Sequence, residues 1–201
     1  MKSIIWLSTG ENKEIERLLP CLNAKGIHNL SFHMQKLTTD YENVFQQLDQ
    51  LILSAQQEKV SLVSFSWGAF LALSQLSLNP DHIDRVYIIN PLIQNPKTSS
   101  QLWYQLTTLP LLGKVFSKDQ EGQVYQRMAQ EYPFSQELRS CPVPIRAFYT
   151  YQGFIKSHQT EFDYLQSLIH FSYFVGQSSS PQLNLADVEF IANDLSFFVL
   201  T

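Results

Sequence analysis

The stretch Val60-Ser61-Leu62-Val63-Ser64-Phe65-Ser66-Trp67-Gly68-Ala69-Phe70 decides the fold. Val60 to Phe65 is a short apolar run of the kind that forms a strand buried on both faces. It ends at Ser66-Trp67-Gly68. Phe70, Leu71, Leu73 and Leu76 then recur at helical spacing. Strand, sharp turn and helix follow one another directly.

The same rhythm extends in both directions. Ile4 to Ser8 reads as a buried strand closed by Thr9-Gly10. A helix follows with Ile15, Leu18, Leu19 and Leu22 on one face, and Gly26 is placed to close it. Asn29 to Met34 is a second strand. Thr39-x-x-Glu42 is a capping box before the stripe Val44, Phe45, Leu48, Leu51, Ile52. Arg85 to Ile89 is a fourth strand, ended by Asn90-Pro91. Residues 92–140 break the rhythm with short helical patterns and read as an inserted helical cap. Pro144 to Tyr149 is a fifth strand, 157–168 a helix, Phe171 to Val175 a sixth strand. Ser178-Ser179-Ser180-Pro181 is a loop, and a last helix from Leu185 carries Val188, Ile191, Leu195 and Phe198 on its core face.

This alternation predicts an α/β fold over residues 1–201: a mainly parallel sheet of about six strands, helices on both faces, and the cap insertion. In such a sheet ligands bind beyond the carboxyl ends of the strands, where the strand order reverses. The order 2-1-3-4-5-6 puts that crevice between the first and third strands. Thr9-Gly10 and Ser66 close those strands there. A serine in that turn projects its oxygen into the crevice. The following helix aims N–H groups and its positive dipole end at the same place. The backbones of Trp67, Thr9 and Gly10 are the candidate donors of an oxyanion hole. The bland alternative is that Ser66 only caps the helix.

The elbow after a strand, then Arg85-Val86-Tyr87-Ile88-Ile89-Asn90-Pro91, a cap, and Val143-Pro144-Ile145-Arg146-Ala147-Phe148, resembles the α/β-hydrolase family over most of the chain. The family's G-x-S-x-G is here Ser64-Phe65-Ser66-Trp67-Gly68, with a serine at the first glycine. The resemblance implies that Ser66 is a nucleophile, with an acid after the fifth strand and a histidine after the sixth. The residues there are Thr150-Tyr151-Gln152-Gly153-Phe154 and Gly176-Gln177-Ser178-Ser179. The first segment holds no carboxylate. Gln177 stands where a histidine is implied, and an amide is no base near neutral pH.

Five histidines remain. His28, His82 and His170 precede strands and so fall at the opposite edge. His33 falls late in the second strand. His158 lies just beyond the fifth, in a segment able to bend toward the elbow, and is the preferred base. Among the acids, Asp40 serves its capping box, Asp119 falls in the charged part of the cap, and Asp163 reads as a solvated helix residue. Asp187, Glu189 and Asp194 read as the polar face of the last helix.

Composition narrows the function classes. Hydrophobic residues make up 44%, charged residues 16%, and the net charge is −4 without a basic run. A nucleic-acid partner is not expected. With seven glycines and neither G-x-G-x-x-G nor a P-loop, no phosphate cradle is present. That weighs against a flavodoxin-like regulatory or nucleotide-binding domain, which shares the alternation. No His/Cys cluster suggests a metal, and no cofactor is expected. Cys21 and Cys141 lie far apart and no apolar run is long enough for a membrane span, so a cytoplasmic location is expected.

Two functions are consistent with these residues. One is a serine esterase or thioesterase using Ser66 and His158 on a small acyl ester or thioester. Trp103, Tyr104, Leu109, Leu111 and Leu112 of the cap would then line the acyl pocket. The other is a non-catalytic pseudo-hydrolase that binds or scaffolds, with the cap as a possible protein contact.

Overall fold

The computed structural model of the protein describes residues 2–8, 13–33, 41–55, 58–93 and 136–201. Its strands are β1 (Ser3–Ser8), β2 (His28–His33), β3 (Val60–Phe65), β4 (Ile83–Ile89), β5 (Ile145–Tyr149) and β6 (Phe171–Val175). Its α-helices are α1 (Lys13–Asn23), α2 (Tyr41–Ser54), α3 (Gly68–Leu78), α4 (Gln152–Ser157), α5 (Gln159–Gln166) and α6 (Leu185–Leu200). Every strand pair is parallel and the order is β2-β1-β3-β4-β5-β6, as the alternation predicts.

The period of two along each strand sorts the core into layers. Ile5 and Leu7 of β1 pack with Val44, Phe45, Leu48 and Ile52 of α2 and the buried face of α3. Their neighbours Ile4 and Trp6 point the other way, toward Ile15, Leu18 and Leu22 of α1 and Val188, Ile191 and Leu195 of α6. A third cluster joins Ala147 and Tyr149 of β5 to Phe154 and Ile155 of α4 and Phe162 of α5. The central strands are buried on both faces, which is why they read as unbroken apolar runs. β6 is an edge strand and stays largely exposed.

Registry brings the carboxyl ends level. Ser8 pairs with His33, Phe65 with Ile89, and Tyr149 with Val175. The turns that follow β3, β4, β5 and β6 therefore share one edge of the sheet.

Three expectations are corrected. The helix read over 157–168 is α5, and a second short helix not expected from the sequence, α4, precedes it and meets it at His158. The break lets both cover Tyr149, through Phe154 and Phe162. Asp187 is buried, not solvated: it closes a capping box with Asn184 at the start of α6. Asp194 is also withdrawn from water, held by Arg146 at 2.7 Å and accepting from the Tyr87 hydroxyl at 3.0 Å. Glu189 and Asp163 are exposed, as expected.

The cap assigned to 92–140 lies, apart from its two ends, outside the described residues, as do Thr39, Asp40 and Asp119. Among the described residues no helix is long and apolar enough to cross a membrane.

Candidate active site at the carboxyl edge of the sheet

Ser66 follows β3 directly and has φ 48, in the left-handed region. An L-residue there costs about 1–2 kcal/mol, because its Cβ crowds the carbonyl oxygen. The conformation is held from several sides. Its N–H donates to the Ile89 carbonyl at 2.9 Å, and its own carbonyl accepts from Ala69 and Leu92, both at 3.1 Å. The helix-cap alternative does not describe this geometry. The N-cap of α3 is Trp67, and no side chain caps it.

Gly68 explains how the turn can be so sharp. A Cβ there would stand 2.5 Å from the Leu7 carbonyl oxygen and 3.2 Å from the Ser64 Cβ. The first turn of α3 thus lies directly on β1 and β3, and only glycine fits. The same contact accounts for Ser64. A small side chain is tolerated at the motif's first position because Gly68 contributes none opposite it. The Ser64 hydroxyl is fully buried with no hydrogen-bond partner among the described residues.

His158 sits between α4 and α5, stacked on Phe154 with centroids 4.4 Å apart. Its Nδ1 lies 3.0 Å from the Phe154 carbonyl oxygen. A carbonyl only accepts, so Nδ1 carries the proton and Nε2 of the neutral ring holds the lone pair. Nearby, burial pushes the Glu161 carboxyl above the usual range, against lesser opposing pulls from its backbone hydrogen bond and His158. No hydrogen bond joins an imidazole or a carboxylate of the described residues to the Ser66 Oγ.

The other candidates are placed as follows. Trp67 stands at the head of α3, next to Ser66. Thr9 and Gly10 lie outside the described residues. His33 ends β2 at the carboxyl edge, opposite Ser8. His28 begins β2, while His82 and His170 precede β4 and β6, all at the far edge. Gln177 is exposed in the loop after β6. Among the described residues no group of three or more His, Cys, Asp or Glu is arranged to hold a metal.

A strained serine between a central parallel strand and a helix, pressed on by a glycine, is the geometry that decides the comparison. The chain has the α/β-hydrolase fold. It is similar to Est1E from Butyrivibrio proteoclasticus, at a TM-score of 0.71 and 14% identity over 99% of this chain and 87% of that one. It is similar to the thioesterase domain from the curacin biosynthetic pathway, at 0.64 and 13% over 100% and 91%. A hydrolase from Oleispira antarctica superposes at 0.66, with 13% identity over 100% and 92%. Likeness at this identity concerns the fold. No protein-family model matches the chain, and no curated protein matches it.

Sequence reasoning missed Asn90. It too has a positive φ, 47, and it is buried beside Ser66's own hydrogen-bond partners. The signal was available in Asn90-Pro91, a turn pair at the end of a strand.

Proposed function

We propose that the protein hydrolyses a carboxylic ester or thioester through Ser66. The observation that carries this reading is the left-handed serine at the head of α3. The chain keeps a conformation that costs stability at the one position where the α3 dipole and amides favour an oxyanion. Ser66 Oγ attacks the acyl carbon and its proton passes to a base. The backbones of Trp67 and of Thr9 or Gly10 hold the oxyanion. The leaving alcohol or thiol takes the proton, and water then releases the acid from the acyl-enzyme.

His158 is the proposed base. Its Nδ1–H is tied to a carbonyl, which orients the ring as the acid of a triad would and leaves Nε2 to accept. Reaching Ser66 requires movement of the α4–α5 corner or a relay through water.

The comparisons support the acyl class, since similar structures include a thioesterase domain and a carboxylesterase from Nitrososphaera gargenis. A fluorophosphonate probe tests the reading. Labelling of the wild type that is lost in Ser66→Ala is the expected result. Labelling no stronger than in that variant would overturn it.

A second reading, a non-catalytic binding or scaffolding protein, is favoured by one observation. Gln177 occupies the loop where the resemblance implies a histidine, and no imidazole of the described residues bonds Ser66. Turnover of an ester and thioester panel that Ser66→Ala abolishes would rule it out.

A further inference from the structure

Ser66 shares its edge with a second left-handed residue. Asn90 ends β4 at φ 47 and is 7% exposed. Asparagine is among the non-glycine residues that adopt this conformation most readily. Its N–H donates to the Phe148 carbonyl at 2.8 Å, which ties the turn to β5. On either side of it, the Ile89 carbonyl accepts from Ser66 N–H at 2.9 Å and Leu92 N–H donates to the Ser66 carbonyl at 3.1 Å. The turn at Asn90 therefore grips both backbone polar groups of Ser66.

The side chain reaches in the other direction. Oδ1 accepts from the Thr150 N–H at 2.9 Å and the Thr150 hydroxyl at 3.2 Å. Nδ2 donates to the Pro181 carbonyl at 2.9 Å. This orientation of the amide is dictated: a backbone N–H can only donate and a carbonyl can only accept. Two further bonds continue the seam, from Gly176 N–H to the Tyr149 carbonyl at 2.7 Å and from Ser178 N–H to the Thr150 carbonyl at 3.1 Å. The turn at Asn90 thus joins those after β3, β5 and β6: Ile89 and Leu92 bond Ser66, and the Asn90 amide bonds Thr150 and Pro181.

We propose that Asn90 is a positioning residue that holds the Ser66 turn and the 176–184 loop in one fixed arrangement. Its left-handed backbone shapes the turn whose Ile89 and Leu92 bond Ser66, and its amide fixes that turn against Thr150 and the loop at Pro181. Its effect on Ser66 reactivity rests on the reading of Ser66 as a nucleophile; its hold on the loop does not.

Two variants of the full chain separate the contributions. Asn90→Gly allows φ 47 and removes the amide. Asn90→Asp keeps an acceptor for Thr150 and turns an oxygen toward the Pro181 carbonyl. Residue-resolved hydrogen exchange and the rate of fluorophosphonate labelling are measured on both. In Asn90→Gly, exchange at Thr150, Gly176 and Ser178 rises about tenfold or more and labelling slows about tenfold, while the protein remains folded. In Asn90→Asp, Ser178 exchanges faster while Thr150 stays protected.

Wild-type exchange at Thr150 and Ser178 in Asn90→Gly would overturn the proposal. So would a freed loop with an unchanged labelling rate. If the wild type itself is not labelled, the hydrolase reading fails and exchange alone judges Asn90. If Asn90→Gly does not fold, the contrast between Thr150 and Ser178 in Asn90→Asp decides.

Discussion

At the scale of one residue, Ser66 is where stability and the proposed chemistry oppose each other. Glycine would adopt φ 48 without strain, yet the chain has serine there. Relief of that strain favours glycine in the folded state, and the extra freedom of glycine in the unfolded chain acts the other way at about 0.4–1 kcal/mol. The first effect is the larger. Ser66→Gly is therefore expected to be more stable than Ser66→Ala by about 1 kcal/mol, read from urea unfolding. Neither variant is expected to be labelled by a fluorophosphonate. Equal stability of the two would mean that the turn relaxes away from the left-handed region once the hydroxyl is gone.

At the scale of elements, α6 shows what patterning conveys and what it omits. The stripe Val188, Ile191, Leu195, Phe198 locates the core face correctly, and all four are buried. Asp187 and Asp194 lie one position before Val188 and Leu195, at the margin of that stripe. Whether a marginal carboxylate meets water or a cation depends on the element packed against it. For Asp194 that element is β5, whose Arg146 lies on the α6 side of the sheet, stacked over Phe198 at 4.4 Å. Helical periodicity holds no information about β5, so this pair was not legible. The parallel sheet and its strand order were, because alternating strands and helices leave few right-handed topologies. The elbow was legible as well, since Ser66 and Gly68 stand only two positions apart in sequence. A base was not, because any side chain that could meet Ser66 would come from a segment distant in the chain. Helix α4 was hidden by Gly153, a poor helix former.

The Arg146–Asp194 pair gives a prediction at the same scale. The side chains are 19% and 11% exposed, so removing one partner leaves a largely desolvated charge. Arg146→Met is expected to lower stability by about 2–4 kcal/mol, with the Tyr87 hydroxyl as Asp194's remaining neutral donor. Asp194→Leu added to Arg146→Met is expected to recover part of that loss, because the orphaned carboxylate is gone. Chemical denaturation of the single and double variants measures both. A double variant less stable than the arginine variant would show that the carboxylate's bond to Tyr87 matters more than its lost cation.

For the whole molecule, buried tyrosines on the two faces of the sheet make alkaline stability a probe of both layers. Burial, reinforced by Asp194, holds the Tyr87 hydroxyl well above its usual value of 10.0, opposed weakly by Arg146. Burial likewise raises Tyr149 on the opposite face, and pushes Tyr164 up to about 12. The sign follows from linkage. Below pH 10 these phenols are neutral in both states and the full stability is present. Above it the unfolded chain releases protons that the folded chain retains, so stability falls as pH rises toward the folded-state values. Each tyrosine contributes a slope of up to about 1.4 kcal/mol per pH unit, and the less buried Tyr164 less than the others. Urea midpoints measured from neutral to strongly alkaline pH should be level at first and then decline. Two phenylalanine variants separate the layers. The Tyr149 hydroxyl is buried with no partner among the described residues, so Tyr149→Phe should gain about 1 kcal/mol at neutral pH and flatten the decline. Tyr87→Phe should flatten it too, but lose about 1 kcal/mol at neutral pH, because that hydroxyl donates to Asp194. An alkaline decline as steep in both variants as in the wild type would place its origin outside these layers. Opposite shifts at neutral pH with a shared flattening would show that both layers unfold together, as one sheet covered on two faces requires.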